Sequence, residues 1–293
     1  MSASSRTHLL FLVSVAAFFG FALTAAEAQS QPQAQKTTAE PVVQVTIGEQ
    51  VLAFSERPRL LRLYQAADLA PANYWAASRL ISAKQVEQLA QKRQHVLERL
   101  EQLERVARSK QLPALAAAAQ GFAQQIPQWP LVGAEWIGRT KINESLEVQS
   151  GVDVERRALF SSFSAASSDM DANPLLPAGN YRLLPPKNLG PWQVTVVSAQ
   201  GQQQFEFDES DTVRSLLQRA EAFTADNDLS EVELIALTGL AARTQVAYYN
   251  DGKALPPVHG LILIDLDLSG LDAEWQNLNQ QISALARYWN PQS

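Results

Sequence analysis

A short unit occurs twice in this chain, and it limits the available folds more than any other feature. Pro41 to Ile47 (PVVQVTI) and Gln50 to Phe54 (QVLAF) are β-rich runs separated by Gly48-Glu49, a hairpin signal. Pro58 to Ala67 (PRLLRLYQAA) follows, with a proline suited to a first helical turn and Leu60, Leu61, Leu63 and Tyr64 on one side. The same order returns downstream as Trp192 to Val197 (WQVTVV), Gly201 as the turn, Gln203 to Phe207, and a helix over Asp211 to Ala220. Gln44-Val45-Thr46-Ile47 aligns with Gln193-Val194-Thr195-Val196, and Leu63-Tyr64-Gln65 with Leu216-Leu217-Gln218. A hairpin followed by one helix, seen twice, implies two domains built alike.

Each unit also ends alike. Asn173 to Leu184 (NPLLPAGNYRLL) and Leu255 to Asp265 (LPPVHGLILID) both carry Leu-Pro, a glycine and then an apolar strand. A Pro/Gly turn before a closing strand is what a small mixed sheet wrapped round a helix requires. The expected fold class is therefore α+β, with two β-grasp-like domains over residues 41–186 and 187–268 and a seam near Pro185-Pro186.

Two further helical segments interrupt this scheme. Ser82-Ala83-Lys84-Gln85 has capping-box spacing and opens a long helix with Val86, Leu89, Val96, Leu97, Leu100, Leu103 and Val106 as its apolar stripe. Pro113 opens a second, Ala-rich helix that ends before Pro127. Together they read as a helical hairpin (82–127) inserted in the first domain, either packed on the sheet or serving as a docking arm. Residues 269–293 form an amphipathic C-terminal helix, with Leu271, Trp275, Leu278, Ile282, Leu285 and Trp289 spaced 4,3,4,3,4. That stripe either closes the second domain's own groove or meets a partner through Trp275, Leu278, Ile282 and Leu285. The helix carries Arg287 as its one basic residue, which argues against an anionic-lipid anchor.

The N-terminus reads as an export address. Arg6 precedes an apolar run from Leu9 to Leu23, and Ala26-Glu27-Ala28 places small residues at a signal-peptidase site. The run falls short of the ~20 residues that span a bilayer. Residues 1–28 are expected to be removed, leaving a flexible leader over 29–40 and a periplasmic protein with no transmembrane segment. With 24 Lys+Arg against 30 Asp+Glu the chain is acidic, which disfavours nucleic acid as a partner. With no cysteine it has no disulfide, thiolate metal site or catalytic thiol.

Little in the sequence carries chemistry. His95 lies mid-helix among polar neighbours, and His259 sits in the Pro-rich turn before Gly260 without a nucleophile elbow. Asp169-Met170-Asp171 has D-x-D spacing but no nucleotide-binding unit around it. Asp265 and Asp267 alternate with leucine, as carboxylates on the outward face of a strand do. No phosphate loop, dinucleotide fingerprint or H-E-x-x-H motif is present. No metal and no cofactor are expected.

Asn73-Tyr74-Trp75-Ala76-Ala77-Ser78-Arg79-Leu80, Gly138-Arg139, Ala247-Tyr248-Tyr249-Asn250 and Leu278-Asn279-Gln280-Gln281-Ile282 resemble motifs of the GfcC-like capsule biosynthesis family. The order of parts is similar as well. The resemblance implies a periplasmic protein that goes with capsule or exopolysaccharide export machinery without being the pore. The expected role is that of a non-enzymatic accessory protein, and the chain alone is expected to be a monomer. Its implied partners are the polysaccharide chain, the outer-membrane export machinery, or both. It also implies a cleft holding Arg139, whose guanidinium either binds a sugar carboxylate or phosphate or pairs with Glu135 or Glu144. Tyr74 and Trp75 either offer a stacking face for a sugar ring or belong to the core. Two features depart from the family pattern: Tyr248-Tyr249-Asn250 replaces Tyr-Trp-Asn, and the Pro-Gly turn is spread over Pro256 to Gly260. The alternatives are a glycan-modifying enzyme using Asp169, Asp171 or His259, and a scaffold docking through its helices.

Overall fold

Strand β1 (Val43–Ile47) turns back into β2 (Gln50–Phe54) through Gly48 and Glu49, with Ile47 opposite Gln50. Gly48 has a φ of 56°, a conformation that glycine adopts without steric cost. The computed structural model describes residues 40–68, 77–133, 141–142, 148–149, 163–168, 170, 173–185, 189–223, 229–249 and 253–291.

After the hairpin comes α1 (Leu60–Ala66), with Arg59 at its N-cap position and no side-chain cap, so Pro58 lies before the helix and not in its first turn. Strand β3 (Arg79–Ser82) leads directly into α2 (Ala83–Ser109), and α3 (Pro113–Gln125) packs beside α2. The capping box at the start of α2 forms as its sequence predicts. The Gln85 N–H donates to Ser82 Oγ at 3.3 Å, and the Ser82 N–H donates to Gln85 Oε1 at 3.1 Å. Short strands β4 (Lys141–Ile142) and β5 (Val148–Gln149) pair with each other, and α4 (Phe163–Ser168) precedes β6 (Gly179–Leu184). The first sheet has the order β2-β1-β6-β3, with β6 parallel to β1. Val43, Val45, Leu80 and Leu183 from its strands enclose Leu60, Leu63 and Tyr64 of α1.

The second sheet repeats this plan. Strands β7 (Gln193–Ser198) and β8 (Gly201–Glu206) form a hairpin whose turn is Ala199-Gln200, so Gly201 opens β8 and is not itself the turn. Helix α5 (Val213–Arg219) follows, then β9 (Glu231–Ile235), β10 (Ala241–Gln245) and β11 (Leu261–Leu263). The order is β10-β9-β11-β7-β8, with β11 parallel to β7. In both sheets the closing strand lies parallel to the first strand and beside it. The repeat read from the sequence is thus a repeat of strand order. The whole is a mixed α+β arrangement.

The second sheet buries both faces. Val194, Val196 and Ile262 face Val213, Leu216 and Leu217 of α5. Val197, Ile235, Leu261 and Leu263 point the other way, into one cluster with Val96, Leu100 and Leu103 of α2 and with Phe122 of α3. Period-two alternation along β7 separates these two sets. The helix pair, which enters the chain from the first sheet, therefore packs on the second. Gly121 shows how closely: a Cβ there would lie 1.9 Å from the Ala199 carbonyl oxygen.

The C-terminal segment completes this layer. A 3-10 turn at Ala273–Trp275 precedes α6 (Leu278–Ala286), which is shorter than the helix expected over 269–293. Trp275, Leu278, Ile282 and Leu285 are buried in the same cluster as α2 and α3. Their assignment as partner contacts is corrected here: the stripe is core. The gain from removing each such side chain from water, ~1.5–3 kcal/mol, goes to the chain's own fold. Arg99 of α2 stacks over the Trp275 ring at 4.2 Å and donates to the Glu274 carbonyl at 2.7 Å. Among the described residues, no helix is long and apolar enough to cross a membrane.

Candidate functional site

Arg139, Tyr74 and Trp75 lie outside the described residues, as do Asp169 and Asp171. Beyond Trp75, the Ser78 and Tyr64 hydroxyls lie 3.2 Å apart in the core of the first sheet. Ahead of Arg139, Gly133 abuts the β3–α2 junction, where a Cβ would lie 2.6 Å from Val86 Cγ2 and 3.2 Å from Ile81 Cγ2.

These segments converge on Arg79. It is fully buried, and its guanidinium donates from Nη1 to the Ser78 carbonyl at 2.8 Å and from Nη2 to the Leu237 carbonyl at 2.9 Å. Nη2 also lies 3.5 Å from the Trp289 carbonyl oxygen. Next to it, Leu131 and Trp289 form an antiparallel bridge, flanked by bonds from the Val132 N–H to Tyr288 at 3.0 Å and from the Asn290 N–H to Pro130 at 2.8 Å. The Trp129 and Trp289 rings meet edge to face at 6.3 Å. A guanidinium out of water needs carbonyl or carboxylate partners. Arg79 uses carbonyls from three parts of the chain, so it joins the strand after Trp75 to the second sheet and the C-terminus. It stood inside the Tyr74–Leu80 motif without any local sign of burial; no spacing rule marks a buried arginine.

His259 is buried and holds a φ of 55°, unusual for a residue with a side chain. Its N–H donates to the Gln193 carbonyl at 2.6 Å, closing the turn against the start of β7. Burial lowers its pKa below the usual histidine range. Gly260 follows because only glycine fits: a Cβ would lie 2.3 Å from the Ile235 carbonyl oxygen. The geometry shown for His259 is that of a turn residue.

The two aspartates after β11 part company. Strand β11 ends at Leu263, and Asp265 pairs with Arg243 at 2.6 Å, while Arg243 also pairs with Glu231 at 2.9 Å. Burial raises the Asp265 pKa despite the neighbouring guanidinium. Asp267 instead accepts from the Ser269 N–H at 3.0 Å and from the Ser269 hydroxyl at 2.7 Å, which lowers its pKa. They do not form a pair of outward carboxylates: one closes an ion-pair network and the other a turn. Among the described residues no group of His, Asp and Glu is placed to hold a metal ion.

Comparison with known families finds a match to part of the chain. Residues 36–147 match the family described as Capsule biosynthesis GfcC, N-terminal. That span holds β1, β2, α1, β3, α2, α3 and β4, and it includes Tyr74, Trp75, Arg79 and Arg139. Over this region the chain is similar to that family, and the match supports a role in capsule biosynthesis. No curated protein matches the chain.

Proposed function

We propose that this is a non-enzymatic periplasmic accessory protein of capsule or exopolysaccharide export, acting by contact with the glycan chain, the export assembly, or both. The observation that carries the reading is the family match over residues 36–147. The apolar run Leu9–Leu23 with Ala26-Glu27-Ala28 supports delivery to the periplasm. The shared order of hairpin, helix and parallel closing strand in the two sheets supports two β-grasp-like domains. Arg139 is proposed as the cation of a glycan-contacting cleft, with Tyr74 and Trp75 as its stacking face.

Two measurements test this. Cell fractionation is expected to place the processed chain with periplasmic markers; retention in the cytoplasm would overturn the export reading. Purified capsular polymer incubated with the mature protein is expected to keep its length and its number of reducing ends. Shortened or chemically altered chains would instead establish a glycan-modifying enzyme.

A further inference from the structure

Among the described residues most aromatic side chains point inward, and Trp129, Trp275, Trp289, Tyr64, Tyr181 and Tyr288 are all buried. Tyr248 and Tyr249 stand apart, 89% and 78% exposed. They follow Val246 and Ala247, both buried, so the pair is presented from an anchored stretch just past the end of β10.

A cation is set beside them. Arg214, in the first turn of α5, lies over the Tyr248 ring at 5.8 Å and over the Phe223 ring at 4.8 Å. One of its terminal nitrogens, Nη1, donates to the Val246 carbonyl, at the base of the same stretch. The side chain is thus held by two rings and one carbonyl, and no carboxylate of the described residues pairs with it. The Val213 N–H donates to the Ala254 carbonyl at 2.9 Å, which brings exposed Lys253 to within one residue of this turn.

We propose that Tyr248, Tyr249 and Arg214 form a binding subsite for an acidic glycan. The tyrosine faces stack on sugar rings, and the guanidinium takes a uronate carboxylate. The inference rests on the reading that the protein handles capsular polysaccharide, and it names the chemical class. Tyrosine offers a flat apolar face with a polar tip, suited to the C–H face and hydroxyls of a pyranose. A guanidinium held in place loses less freedom on binding a carboxylate than a mobile lysine does. Area argues against a protein partner here: two tyrosine rings present about 300–500 Å², whereas a stable protein interface needs about 800 Å² per partner.

The test uses the full mature chain and two probes, oligogalacturonate as the acidic polymer and maltooligosaccharide of equal length as the neutral one. Calorimetric titration is expected to show oligogalacturonate bound at least ~10-fold more tightly, with the preference shrinking as salt rises. Tyr248→Ala with Tyr249→Ala is expected to weaken binding at least ~10-fold, while the two Phe substitutions leave it within about threefold. Both positions are exposed, so these variants fold. Arg214→Gln is expected to remove the preference for the acidic probe. Equal binding of the two probes, no binding of either, or unchanged binding in the double alanine variant would overturn the proposal. So would a double alanine variant that binds oligogalacturonate normally yet fails to restore surface polymer, since the tyrosines would then be a protein contact. Should a deletion strain export polymer normally while the titrations come out as expected, the cellular role falls and the subsite stands.

Discussion

The Arg79 guanidinium donates to the carbonyl of Leu237, 158 residues further along the chain, at 2.9 Å. The first residue of β3 is thereby tied to the turn that follows β9 in the other sheet. Arg79→Ala removes a buried cation and strands the carbonyls it satisfied. The expected loss is ~3 kcal/mol or more, seen as a fall in Tm of roughly 5–10 °C. Arg79→Lys is expected to recover only part, because an ammonium cannot span the same carbonyls. An unchanged Tm in the alanine variant would remove Arg79 from its place as a tie.

The approach of α3 to the β7–β8 turn leaves no room at Gly121. Gly121→Ala is therefore expected to destabilise the protein despite the better helix propensity of alanine. The clash is with a backbone carbonyl, so relief requires α3 to move, at a cost of ~1–3 kcal/mol by chemical denaturation. A stabilised variant would mean that the helix pair does not sit on the second sheet as described.

The stripe of α6 gives a similar test. Leu278 is fully buried among α2, α3 and the second sheet. Leu278→Ala is expected to cost ~2–5 kcal/mol, and Trp275→Asp with Leu278→Asp to unfold this layer. A double Asp variant with a native Tm and native circular dichroism would contradict the core assignment.

Much of this architecture was legible in the sequence, and what was not has a physical reason. The hairpin–helix unit, the Ser82–Gln85 capping box and the stripe of α2 depend on residues a few positions apart, so local spacing reveals them. The sheet on which α2 and α3 pack depends on Gly121 meeting Ala199 and on Arg79 meeting Leu237, and no local pattern records such pairs. The C-terminal heptad correctly identified buried residues, but periodicity alone does not say whether a stripe is covered by its own chain. At the candidate site, Arg214 went unnoticed because its aromatic neighbours arrive from Phe223 and Tyr248, on other parts of the fold.

His259 makes stability depend on pH. Burial lowers its folded-state pKa below the ordinary 6.5, favouring the neutral ring. Its contribution is therefore fully present above pH 6.5 and is lost as the pH falls through the lowered folded-state value. His259→Asn tolerates the left-handed backbone and removes the titrating group. Thermal unfolding between pH 7 and pH 5, on the order of two units, is expected to show a shallower loss of Tm in this variant than in the wild type. Parallel profiles would exclude His259 as the source.

The central claim is that this protein serves the export of a capsular or secreted polysaccharide. Its most direct test is the amount and length of surface polymer against cell-retained polymer in a deletion strain, complemented with the wild type or with Arg139→Ala. The account predicts that deletion lowers surface polymer, that the wild type restores it, and that Arg139→Ala accumulates normally in the cell yet fails to restore it. Normal surface polymer in the deletion strain, in both amount and length, would contradict the account.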